Sequence, residues 1–328
     1  MATFSQRVQK EAKRLKRIIV FPEPTDPRIL EAASKLQKKG VVIPILVGHA
    51  QDVADAARKH NIRLRGLQLL DPAESTLKEP LAKELYKRRR RKGVTLTKAR
   101  EKVLDPYMFG SLLVRKGVAH GMVAGATRPT KETIKAALHG VGLRKGVKTA
   151  SSCFFMEFPK ETLVFADCGF NIDPDAKQLA AIATETARTA TQFGIKPKVA
   201  MLSFSTKGSA EHDRSKKVSK ATRLAQRKRP DLAIDGELQF DAAYTPEIQK
   251  QKAPDSPLKG PATVFVFPDL DSGNNAYKIA ERLGGAKAYG PVMQGLAKPV
   301  NDLSRGCSAE DVMTVAAITA LQAESKDL

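Results

Sequence analysis

Short apolar runs alternate with stretches of helical spacing along almost the whole chain, and few architectures accept that rhythm. Arg17-Ile-Ile-Val-Phe21 reads as a strand closed by Pro22, and residues 29–36 repeat apolar positions at helical intervals. Residues 41–47 give a second strand signal, a polar helix closes at His60-Asn61, and the apolar run 67–70 stops at Asp71-Pro72. Helices around 80–91 and 107–116 follow, then a strand at 121–125. After Gly146 the pattern restarts. Residues 149–156 and 163–167 read as paired strands, 175–191 as an alanine-rich helix, and 199–203 and 263–267 as further strands. Strands that alternate with helices build a mostly parallel sheet covered by helices, and such sheets take ligands at the carboxyl ends of their strands.

At 328 residues the chain is long for one core, so two domains are expected. The predicted fold class is α/β: two three-layer α/β/α domains with mostly parallel sheets. The apolar stretch 312–323 is expected to return to the first domain and close it. That domain is then discontinuous, 1–145 plus 297–328, and 146–296 forms the second.

Composition narrows the function classes. Hydrophobic residues at 42% and charged residues at 28% fit a globular protein rather than a disordered one. No apolar run reaches the roughly 18 residues of a membrane span, and the N-terminus lacks the apolar segment of a secretory signal. Three cysteines (Cys153, Cys168, Cys307) are too few for a disulfide framework and form no Cys-x-x-Cys pair, so a reducing cytoplasm is expected. The five histidines have no metal-ligand spacing, and no metal site is expected. The net charge of +21 admits a nucleic-acid partner, a polyanionic small substrate or a surface bias. Its clusters, Lys87-Arg-Arg-Arg-Arg-Lys92 and 214–229, contain no aromatic residue for stacking on bases, which argues against nucleic acid.

Chemistry concentrates in 299–311. Ser304, Arg305, Cys307 and Asp311 place a hydroxyl, a fixed cation, a thiol and a carboxylate just ahead of an apolar helix, where free backbone N–H groups favour an anion. Ser308 and Asp311 also have the spacing of a capping box, and capping does not exclude catalysis. Three loops at strand ends, 124–130, 203–209 and 269–275, combine small residues with hydroxyl or amide donors, as a phosphate or acyl-phosphate site would require. Ser205-Thr-Lys-Gly-Ser209 is not a P-loop, 140–146 misses the dinucleotide fingerprint by one residue, and no Gly-x-Ser-x-Gly elbow is present.

Lys298-Pro-Val-Asn-Asp-Leu-Ser-Arg-Gly-Cys-Ser308 strongly resembles the signature of the phosphate acetyltransferases. The resemblance extends over nearly the whole chain, because Phe21-Pro-Glu, Asp105-Pro, Met122-Val-Ala-Gly-Ala126, Asp167-Cys-Gly, Ser203-x-Ser-Thr-Lys-Gly-Ser209 and Pro268-Asp-Leu-x-x-Gly-Asn274 fall in family order. It implies reversible acetyl transfer between acetyl phosphate and coenzyme A, with no permanently bound cofactor. The sister group that transfers butyryl or other short acyl chains is the alternative. An inactive relative acting as a basic nucleic-acid-binding or regulatory protein is a second, more distant one. The resemblance also implies a homodimer.

By the same resemblance Asp311 is the general base, Ser304 hydrogen-bonds the thiol or the tetrahedral species, and Arg305 neutralises the phosphoryl group and the developing oxyanion. Arg282, Asn301, Thr130, Ser205, Thr206, Lys207, Gly208 and Asn274 are the implied substrate-binding residues. Arg89 and Lys135 are the implied coenzyme A residues, Lys135 keeping the charge of a family arginine without its bidentate fork. Direct transfer in a ternary complex is implied, with Cys307 a structural residue. A carboxylate is a far weaker base than a thiolate, a mismatch of roughly 6 kcal/mol from reference values. An inter-domain active-site cleft that closes on coenzyme A is therefore expected, since closure raises the base's proton affinity.

Overall fold

The computed structural model describes residues 2–324. They fall into two compact units, residues 2–147 with 296–324, and Lys148–Gly295. The strands in chain order are β1 Ile18–Phe21, β2 Ile43–Val47, β3 Gln68–Leu70, β4 Gly121–Ala124, β5 Ser151–Glu157, β6 Thr162–Ala166, β7 Lys198–Leu202, β8 Ala233–Leu238, β9 Val264–Val266, β10 Lys287–Gln294 and β11 Val300–Asp302.

The first unit carries a five-stranded sheet ordered β11-β4-β1-β2-β3, parallel throughout. Adjacent strand residues point to opposite faces, so the neighbours of Ile19 and Val20 reveal the layers. Val20 and its register mate Met122 lie against Gly110 of the Pro106–Lys116 helix, where even a Cβ would come within 2.8 Å of Val20. Gly121, paired with Ile19, faces the Ala309–Gln322 helix, where a Cβ would lie 2.4 Å from the Thr319 methyl. The two helices cover opposite faces, which makes three layers. Glycine at 110 and 121 lets each helix approach this closely. The Ala309–Gln322 helix is buried from Val312 to Gln322, as its unbroken apolar and small sequence requires.

The second unit carries a six-stranded sheet ordered β10-β5-β6-β9-β7-β8. β5 pairs antiparallel with both β10 and β6, and the remaining pairs are parallel. Phe154 stacks on Tyr277 of the Leu270–Arg282 helix at 4.1 Å between ring centres, while Phe155 meets Phe193, the cap of the Ala176–Gln192 helix, at 4.8 Å. These two neighbours in β5 again point to opposite faces, so this sheet too lies between helices. Its core gathers Phe154, Phe165 and Phe265 with the alanines of the covering helices.

Sequence periodicity left three strands unread. β8 carries Asp235 and Glu237 inside it, β10 carries a proline, and β11 is only three residues long. Each departs from the alternating or continuous apolar pattern by which strands are recognised.

Candidate active site

The chain turns sharply where β11 ends. Asp302 and Leu303 are buried, Ser304, Arg305 and Gly306 are exposed, and Cys307 is buried again. Cys307 N–H donates to the Ser304 carbonyl at 2.9 Å, closing a four-residue turn with Arg305 and Gly306 at its tip. Gly306 N–H donates to Ser304 Oγ at 3.3 Å, which leaves the hydroxyl hydrogen of Ser304 available outward. Ser308 then caps the Ala309–Gln322 helix. Its Oγ accepts from Asp311 N–H at 3.2 Å, and Asp311 Oδ2 accepts from both Ser308 N–H and Ser308 Oγ–H at 2.8 Å. The capping box is real, and both bonds to the Asp311 carboxylate use Oδ2, not Oδ1.

Arg28 holds this turn from the helix that follows β1. It is the second residue of the Pro27–Lys39 helix, whose N-cap is Asp26. Its Nη1 donates to the carbonyls of Arg305 at 2.7 Å and Cys307 at 3.0 Å, and its Nη2 to that of Ala126 at 2.9 Å. Nε and Nη2 grip the two oxygens of Asp26 at 3.0 and 2.7 Å. Cys307 lies beside the same guanidinium, yet burial outweighs that cation and pushes its thiol up to about 11. At neutral pH only about one such thiol in ten thousand is a thiolate.

Loop 124–130 was expected to turn its backbone donors on a ligand. They are aimed at Glu23 instead. The Glu23 carboxylate, 6% exposed, accepts the N–H groups of Gly125, Ala126, Thr127 and Arg128 at 2.7–3.2 Å, and the Thr127 hydroxyl as well. Burial raises its proton affinity, but these hydrogen bonds, Thr127 foremost, win and hold the carboxyl below the usual range. Glu23→Ala leaves four N–H groups without their acceptor. It is expected to destabilise the protein by roughly 3 kcal/mol or more, read by urea unfolding. Because the folded-state value is depressed, this stabilisation is fully present above the ordinary carboxylate pKa and is lost as the pH falls from there through the depressed folded-state value.

Thr130 heads the Thr130–Ala136 helix and donates its hydroxyl to Asp302 Oδ2 at 2.6 Å. Asn301 is fully buried, and its amide donates to Thr319 and Gln322 of the Ala309–Gln322 helix, so it faces the core and not a ligand. Arg89 meets His139 at 3.2 Å, and Lys102 and Lys135 act on the same imidazole, whose proton affinity burial and these cations lower. The structure thus brings Arg89 and Lys135 together around His139 and adds Lys102.

In the second unit the Ser205–Gly208 stretch is tied to β8 and the residue after it. Ser205 is fully buried and gives its hydroxyl to Glu237 at 3.2 Å, and Gly208 N–H bonds the same carboxylate at 2.7 Å. Thr206, 4% exposed, exchanges bonds with Gln239 through its hydroxyl. Lys207, at φ 50°, pairs its ammonium with buried Asp235. Ser205 and Thr206 therefore shape the loop, and their hydroxyls are directed inward. Loops after β7 and β9 line a cavity of about 260 Å³ that includes Ser203, Arg214, Lys217 and Asp269. Asn274 donates to the Cys168 carbonyl at 3.1 Å, and Arg282, strongly exposed, ends the same helix beside Glu281.

The candidate residues form two sets. Ser304, Arg305, Asp311, Asn301, Thr130, Arg89 and Lys135 belong to the first unit, and Arg282, Asn274 and Ser205–Gly208 to the second. Sequence reading missed Arg28, Glu23 as a loop anchor, and Asp302. Glu23 had a signal in Phe21-Pro-Glu, but nothing in spacing links Arg28 to a turn some 280 residues away.

The family model for phosphate acetyl/butaryl transferase matches residues 3–320. The chain is 49% identical over 323 residues to the phosphate acetyltransferase of Bacillus subtilis (strain 168), covering 98% of this chain and 100% of that one. Among solved structures it is similar to the EutD phosphotransacetylase from Staphylococcus aureus, with 44% identity, a TM-score of 0.89, and 98% and 100% of the two chains covered. A phosphotransacetylase from Streptococcus pyogenes gives 44% identity and a TM-score of 0.90, with 97% and 98% covered. The chain belongs to the phosphate acetyl/butaryl transferase family.

Proposed function

We propose that this protein is a phosphate acetyltransferase that moves an acetyl group reversibly between acetyl phosphate and coenzyme A, by direct thiolate attack in a ternary complex. The observation that carries the reading is the exposed Ser304–Arg305 turn at the head of the Ala309–Gln322 helix, with Asp311 in that helix's first turn. Near-half identity along the full length to proteins of that name supports it. Asp311 accepts the thiol proton. Ser304, whose oxygen already accepts from Gly306, donates its hydrogen to the tetrahedral oxyanion. Arg305 neutralises the phosphoryl group, and preorganised donors of this kind act where charge develops.

The high proton affinity of Cys307 favours direct transfer over a covalent acetyl-cysteine intermediate. Arg89, Lys135 and Lys102 form a cationic patch suited to the phosphates of coenzyme A, and part of the +21 charge finds a use there. Arg282, Asn274 and Lys207 are the second unit's candidate substrate contacts. Its buried Ser205 and Thr206 support them by shaping the loop. A cytoplasmic homodimer completes the reading; light scattering that gives twice the chain mass supports the dimer.

The test is thioester formation, followed by ultraviolet absorbance, from coenzyme A with acetyl, propionyl and butyryl phosphate, on wild type and Ser304→Ala. Acetyl phosphate is expected to be preferred, and Ser304→Ala to lose about 10²- to 10³-fold in kcat. Preference for butyryl phosphate moves the chain to the sister specificity. No thioester from any donor overturns the enzymatic reading and returns weight to a basic binding protein.

A further inference from the structure

We infer that Asp302 is a positioning residue that couples phosphoryl binding to uptake of a proton: ionised, it holds the hydroxyl hydrogen of Thr130, and protonated, it releases that hydrogen to the incoming phosphoryl oxygen. The inference rests on the reading above, in which Thr130 touches the acyl phosphate.

Asp302 ends β11 beside Ala124 of β4 and is 1% exposed. Oδ2 accepts from Thr130 Oγ1 at 2.6 Å, whereas Oδ1 has no hydrogen-bond partner among the described residues. Gly125 makes room for that oxygen, since a Cβ there would sit 2.1 Å from Oδ1. A buried carboxylate oxygen without a donor is costly and favours the protonated form. Burial, aided by the nearby charge of Glu23, pushes the Asp302 carboxyl up to about 6 against the opposing pull of Thr130, Thr133 and the Leu303 backbone N–H. Thr133 lies close enough to favour the anion, although its hydroxyl makes no direct hydrogen bond. Other charged groups on the helices packed against β11 sit on their outer sides: Lys131 and Lys135 are exposed and Glu132 half-buried on one, Glu310 exposed and Asp311 half-buried on the other.

The proton count follows from the donor inventory. A threonine hydroxyl has one hydrogen and an ionised carboxylate has none, so the Thr130 hydrogen must point at Asp302 while Asp302 is charged. One proton from solvent forms an O–H bond on Oδ2, that group donates to Thr130 Oγ1, and the threonine hydrogen becomes free to turn outward. Thr130 is half-buried and can present it. When the phosphoryl group leaves, the proton returns to solvent and no covalent bond of the substrate takes part.

The experiment measures KM for acetyl phosphate from about pH 5.5 to about pH 8.5 at saturating coenzyme A, for wild type, Asp302→Asn and Thr130→Ala. Asparagine can donate to Thr130 at every pH, so it mimics the protonated acid. The ratio of wild-type to Asp302→Asn KM cancels the substrate's own ionisation. It is expected to rise about tenfold across this range, the worth of one hydrogen bond to an anion. A ratio that stays flat while Thr130→Ala raises KM overturns the proton coupling alone. A Thr130→Ala enzyme with wild-type KM overturns the contact on which it rests. A readout that needs no Asp302 variant is calorimetry of inorganic phosphate binding in two buffers of unlike ionisation heat. Wild type is expected to take up more protons than Thr130→Ala, and equal uptake overturns the inference.

Discussion

Asp311→Asn is expected to slow thioester formation by about 10²- to 10⁴-fold, the usual contribution of a positioned general base. Its thermal transition should stay close to that of wild type. Asn keeps a carbonyl oxygen where Oδ2 accepts from Ser308 N–H and Oγ–H, so the capping box survives. What disappears is the negative charge in the first helical turn, worth about 0.3–1 kcal/mol. Ser308→Ala makes the complementary cut: it removes the side-chain acceptor for Asp311 N–H, costs about 1 kcal/mol of stability, and leaves the carboxylate. The two variants separate the two roles of one side chain. An Asp311→Asn enzyme within about tenfold of wild-type kcat would reduce Asp311 to a cap, because loss of a base is expected to exceed that margin.

How much of this was legible depended on whether the determinants were local. The α/β class, the parallel core and the helix start at Ser308 were readable, because each is set by residues a few positions apart: alternation, apolar runs and the three-residue capping spacing. β8 was not, because Asp235 and Glu237 interrupt its apolar run, and they do so to hold Lys207, Ser205 and Gly208. The residues that break the strand pattern are the ones that shape the Ser205–Gly208 loop. The same trade explains Glu23, whose carboxylate replaces the ligand that the sequence pattern of 124–130 led one to expect. Small residues and free N–H groups mark an anion site, but sequence does not reveal whether the anion is a substrate or a side chain. Asn301 repeats the lesson, since it sits inside the recognisable signature and faces the core. Family patterns retain residues for packing as well as for contact, and only the direction of the side chain separates the two.

Arg28→Lys is the sharper test of how the Ser304–Arg305 turn is held. The guanidinium makes five hydrogen bonds from three nitrogens, to both oxygens of Asp26 and to the carbonyls of Ala126, Arg305 and Cys307. A single ammonium keeps the charge but cannot span that set. The carbonyls of Arg305 and Cys307 then lose their common anchor, and the turn that presents Ser304 and Arg305 gains freedom. Displacement of a reacting group by about 1 Å is enough for a loss of 10²-fold in rate, which is the expected fall in kcat for Arg28→Lys. Arg28→Ala should fall at least as far and also lose about 2–3 kcal/mol of stability, because Asp26, with a side chain 9% exposed, loses the guanidinium and is left with the backbone N–H of residue 28. The KM for coenzyme A should move little in either variant, since Arg28 donates only within the turn and its supports. Wild-type kcat in Arg28→Lys would mean that charge alone matters at this position. The turn would then owe its shape to the Ser304–Cys307 bond and to the capped helix behind it.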